Sequence, residues 1–97
     1  MNKQDAIEFL VQARRHTYAS NGGGVEAVLP GSNQLEFQKG ADWHYRDVFF
    51  MGNGLFSGIE AVYYIQKTVW SMSYFGDFSK MSEDEVDVML RHSLIGL

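Results

Sequence analysis

Cysteine is absent from the 97 residues. That excludes disulfides, thiol nucleophiles and thiolate metal sites together, and it suits a reducing compartment. Proline occurs once, at Pro30, and charged residues make up 21% of the chain, a composition of folded domains and not of disordered ones. No apolar run approaches the roughly 18 residues that a membrane-spanning helix needs. The opening MNKQDAIEFL also lacks the basic segment and apolar run of a secretory signal, so a soluble cytoplasmic protein without a membrane partner is expected. Basic residues are in deficit: eight Lys and Arg against twelve Asp and Glu leave a net charge of −4. Such a field repels phosphate backbones, and nucleic-acid binding by this chain alone is not expected. His16, His44 and His92 share no short spacing, so neither a metal centre nor a cofactor is expected.

What is present is an aromatic-rich chain, 45% hydrophobic and 14% aromatic, long enough for one core. A single small domain over residues 1–97 follows. In NKQDAIEFLVQARRHTYAS, Ile7, Leu10, Val11, Arg14 and Tyr18 recur at helical spacing. Asp5 and Glu8 come early and Arg14, Arg15 and His16 late, as the helix dipole favours. SNGGGVEAVLPGSN then breaks regular structure. The glycine run follows a helix and carries no Lys-Ser/Thr pair, so it reads as a connector and not as a phosphate cradle.

QLEF alternates as a short strand, and WHYRDVFF and the segment after MGNG are rich in β-branched and aromatic residues. With turns at Met51–Gly54 and at Gln66-Lys67, Phe50 is expected opposite Leu55, Tyr45 opposite Glu60 and Ile59 opposite Tyr74. The expected fold is α+β: an antiparallel meander of three to four strands, with an N-terminal and a C-terminal helix packed on one face. The second helix is expected in MSEDEVDVMLRHSLIGL, where Ser82 and Glu85 form a capping box and Val86, Met89, Leu90 and Leu94 make an apolar stripe.

Alternation sorts the meander into two faces. Val48, Phe50, Ile59, Ala61, Tyr63, Ile65, Trp70, Met72 and Tyr74 form the more apolar set, expected to be the core. The other set mixes aromatics, acids and hydroxyls, and it carries the candidate ligand or interface residues Trp43, Tyr45, Asp47, Phe56, Gly58, Glu60 and Tyr64. Asp47 and Glu60 are also the only candidates for a general acid and base, with Tyr45 and Ser73 placed to satisfy Glu60. Gly58, in mid-strand, leaves room for something to approach the sheet. No Gly-x-Ser-x-Gly motif is present.

As an ordered set, YRDVFF, FSGIEAVYY and VWSMSYFG, with RRHTYAS before them, resemble the bacterial family catalogued as domain of unknown function 5680, from Phe9 to about Leu94. The resemblance implies no assigned chemistry. It implies relatives fused to a helix-turn-helix regulator, hence a sensing or dimerising role. This chain has Gln66-Lys67-Thr68 where the family has a Gly-Lys-Pro turn. Relatives also continue with further strands, so a short version of a longer domain is expected, its edge or second helix completed by another subunit. The expected function is a non-enzymatic ligand-sensing or dimerisation module with a small-molecule ligand or a second copy as partner. The alternative is a small hydrolase- or isomerase-like enzyme that uses Asp47 or Glu60.

Overall fold

The structure is a computed structural model that describes residues 1–18, 20, 22–77 and 79–80. Helix α1 spans Lys3–His16. It starts where Asn2 caps it: the Asn2 side chain accepts from the Asp5 amide at 2.9 Å, and the Asp5 carboxylate accepts in return from the Asn2 amide at 3.1 Å. Its last turn carries the basic residues Arg14, Arg15 and His16, at the negative end of the dipole.

Five antiparallel strands follow: β1 Gly24–Val25, β2 Asn33–Lys39, β3 Trp43–Gly52, β4 Leu55–Tyr64 and β5 Lys67–Asp77. They form one sheet in chain order, a meander. The count exceeds the three to four strands expected because the connector contributes a two-residue edge strand, Gly24 pairing with Leu35 and Val25 with Gln34. The expected C-terminal helix lies outside the described residues.

Of the two turns that set the register, the first is tighter than expected and the second lies one residue earlier. Gly52 pairs with Leu55, so Asn53-Gly54 is a two-residue loop with positive φ at both positions, the geometry that matches strand twist. Tyr45 therefore faces Val62, and Asp47 faces Glu60. The turn from β4 to β5 is Ile65-Gln66, again with φ positive at both residues, although a β-branched residue resists that conformation. The Ile65 amide donates to the Asp42 carbonyl at 2.9 Å, which ties this turn to the neighbouring one. Tyr63 pairs with Thr68 but Val62 with Trp70, so Val69 is an extra residue in β5, a bulge. Beyond it the strand is displaced by one residue from the expected register. Trp70, Met72 and Tyr74 now stand on the face of Glu60, and Ser71 and Ser73 on the other.

In β3 and β4 the two faces are exchanged relative to expectation, whereas in β5 Trp70, Met72 and Tyr74 keep the inner side expected of them. The core is built from Phe9, Leu10 and Ala13 of α1 on Tyr45 and Val62 of the sheet, with Phe37, Trp43, Val69 and Trp70 around them. Phe9 stacks on Trp43 at 5.0 Å and on Phe37 at 5.9 Å between ring centroids. The helix thus covers the mixed aromatic and acidic face. The members of the more apolar set that lie on β3 and β4 are on the outer face: Phe50 is 42% exposed and Ile59 57%, as is Ile65 in the turn that follows.

Candidate functional site

A strand acid beneath a helix needs a counter-charge, because burying an unpaired carboxylate costs several kcal/mol. Helix α1 supplies it. Arg14 is one helical turn beyond Leu10 in the stripe that faces the sheet, and its guanidinium grips Glu60 as a fork, Nε to Oε2 at 3.0 Å and Nη2 to Oε1 at 2.5 Å. Tyr45 donates to the same Oε2 at 2.5 Å, and the Trp70 ring lies under the guanidinium at 5.7 Å. Arg14 and Glu60 are 1% and 0% exposed.

Asp47 is Glu60's cross-strand partner and equally buried. Tyr18, just beyond α1, donates to one of its oxygens, and Tyr74 of β5 donates to the other at 2.6 Å; the two phenol oxygens are 3.1 Å apart. One guanidinium cannot neutralise two adjacent carboxylates. Burial, reinforced by the neighbouring Glu60 charge, raises the Asp47 pKa to about 7 despite the Tyr74 hydrogen bond and Arg14. The Tyr45 and Tyr74 hydroxyls are pushed well above the usual tyrosine range, by burial first and then by the carboxylate each one serves.

Gly58 explains how Tyr74 reaches Asp47. A Cβ at Gly58 would lie 2.6 Å from the Tyr74 hydroxyl and 2.6 Å from the Phe49 Cβ, so the missing side chain is the space through which the phenol crosses the strand. Phe56 uses Gly76 in the same way, its buried ring filling the position of the absent side chain.

Of the residues singled out in the sequence, Tyr45, Asp47, Phe56, Gly58 and Glu60 are thus brought together under or beside α1. Trp43 and Tyr64 meet in a tilted ring contact, 4.7 Å between centroids, at the end of the same face, half-buried. Ser73 is on the opposite face and does not serve Glu60. Sequence reasoning missed Arg14, Tyr18 and Tyr74 as partners of the acids. The available signal was an arginine spaced within the helix's apolar stripe, which calls for an acid on the surface it faces. Among the described residues no group of three or more His, Asp or Glu is placed to hold a metal ion.

The outer face carries a second feature. A groove of about 560 Å³ runs over β3, β4 and β5, lined mainly by Leu29, Val48, Phe50, Ile59, Ala61 and Tyr63, with Arg46 at one end. Its size is that of small-molecule sites. Arg46 lies over the Tyr63 ring at 5.9 Å. Beyond it Glu36 is held by His44 at 2.5 Å and by Gln34 at 2.9 Å, with Arg46 itself at 3.5 Å. Partial burial is outweighed by these bonds and by the neighbouring Arg46 and His44, which hold the Glu36 carboxyl below its ordinary range.

No helix among the described residues is long and apolar enough to cross a membrane. Comparison with curated proteins and with solved structures finds no match to the chain. A family model does match, over residues 47–96, taking in β3 from Asp47 onward, β4 and β5. That segment holds both buried acids, Gly58, Tyr74 and most of the outer groove, and it shows that the chain belongs to the family described as Domain of unknown function (DUF5680).

Proposed function

We propose that this protein is a non-enzymatic ligand-binding module whose binding surface is the outer, apolar face of the sheet. The observation that carries this reading is the groove of about 560 Å³ bounded by Val48, Phe50, Ile59 and Ala61, on a face where large apolar side chains stand in solvent. Exposed apolar patches of this kind are characteristic of binding surfaces. The mixed face supports a structural role instead. Each Glu60 oxygen accepts from Arg14, each Asp47 oxygen accepts from a tyrosine, and both side chains are fully buried. The enzymatic alternative has one observation in its favour, the near-neutral pKa of Asp47. Against it, a general base must reach the proton it takes, and this one is enclosed by Tyr18, Tyr74 and the helix.

The chain's lack of cysteine makes a direct test clean. A thiol introduced by Ile59→Cys is expected to react with a maleimide nearly as fast as in unfolded protein, and to be protected by saturating 1-anilinonaphthalene-8-sulfonate. A slow reaction, or a fast one that the dye leaves unchanged, refutes the reading.

A further inference from the structure

The groove is not uniformly apolar: among the described residues Arg46 is its one charged lining residue, and it constrains what the groove can hold. Arg46 is paired in the ladder with Glu36 on one side and Ala61 on the other, so it stands on the outer face at the boundary between groove and edge. A guanidinium offers five N–H donors. Among the described residues Nη2 has a long ion pair to Glu36 at 3.5 Å, and Nε is buried with no hydrogen-bond partner. Glu36 is held more closely by His44 and Gln34, and its ion pair with Arg46 involves Nη2 at the longer distance of 3.5 Å. The Arg46 side chain remains 42% exposed, over the Tyr63 ring.

We infer that the groove takes an amphipathic monoanion, an alkyl or aryl carboxylate whose head pairs with Arg46 and whose apolar tail lies along β3 and β4 over Ala61, Ile59, Val48 and Phe50. This inference rests on the binding reading above and adds the ligand class. The guanidinium fork matches a planar carboxylate. A single cation on a chain of net charge −4 favours one negative charge over the several of a phosphate ester. The distance along β3 from Arg46 to Phe50 is about 13 Å at the rise of a strand, the length of an extended chain of roughly ten carbons. Leu29, from the connector before β2, walls one side.

The test titrates the full chain with decanoate and with decanol, below micellar concentrations, following the methyl resonances of Ile59 and Val48. Decanoate is expected to shift both and to bind roughly tenfold or more tightly than decanol, since a charge-assisted hydrogen bond separates them. Arg46→Gln is expected to bring the decanoate-to-decanol affinity ratio down to about one. Should Arg46→Gln not fold, the decanoate-to-decanol ratio in the native chain decides alone. Equal affinities for the two probes overturn the anion assignment and leave the groove reading standing. Neither probe shifting Ile59 overturns both, as does finding Ile59 already in contact with residues 81–97 or with a second copy that decanoate does not displace.

Discussion

Arg14 is the residue on which the exchange of sheet faces depends, and removing it has a calculable consequence. In Arg14→Met the apolar stem is kept, but Glu60 is left buried with Tyr45 as its remaining partner among the bonds described above. Breaking one side of a fully buried ion pair costs about 3–5 kcal/mol, against roughly 5–15 kcal/mol for the whole domain. Glu60→Gln in the same chain removes the stranded charge yet still offers Tyr45 an acceptor, so the double variant is expected to regain about 2–3 kcal/mol. Urea unfolding followed by the fluorescence of Trp43 and Trp70 measures all four corners of the cycle; Trp70 lies against Arg14 and reports on the site directly. A loss below about 1 kcal/mol for Arg14→Met, or a double variant no better than the sum of the singles, refutes a buried Arg14–Glu60 pair.

Asp47 makes the fold pH-sensitive. Its pKa is about 7 folded against an ordinary 3.8, so the folded chain keeps a proton that the unfolded chain releases. This contribution is fully present below about pH 4, is lost as the pH rises through 7, and amounts to about 4 kcal/mol. In urea unfolding between pH 4 and 8, Asp47→Asn is expected to flatten that decline relative to the native chain; parallel profiles contradict it. Gly58→Ala places a methyl against Tyr74 and Phe49 and is expected to cost about 1–3 kcal/mol as overpacking. It should also move the Tyr74 ring resonances, and an unchanged Tyr74 environment contradicts the crossing of Gly58.

Helix α1 is legible in the sequence because its signals are local: early acids, late cations and an apolar stripe that already includes Arg14. The meander is legible because MGNG is a turn by composition. The register is less so, since Ile65-Gln66 carries no turn signature. The fold holds a β-branched residue at positive φ there, and the Val69 bulge then moves the rest of β5 by one residue. The grouping of Tyr45, Asp47, Phe56, Gly58 and Glu60 on one face followed from alternation alone. Which face lies inside did not. Apolarity ranked Val48, Phe50 and Ile59 as core, and the competing term, neutralisation of Glu60 by a helical arginine, depends on a contact between residues 46 positions apart.

The central claim, that the acidic face is internal and the apolar face is the open binding surface, is tested most directly by comparing Ile59→Cys with Val62→Cys. These positions are three residues apart on one strand and face opposite ways, 57% and 0% exposed. The account predicts that under native conditions the thiol at position 59 reacts with maleimide near the unfolded rate and is shielded by bound dye, while the thiol at 62 reacts only through unfolding. The reverse order of rates, or equal protection at both positions, would contradict it.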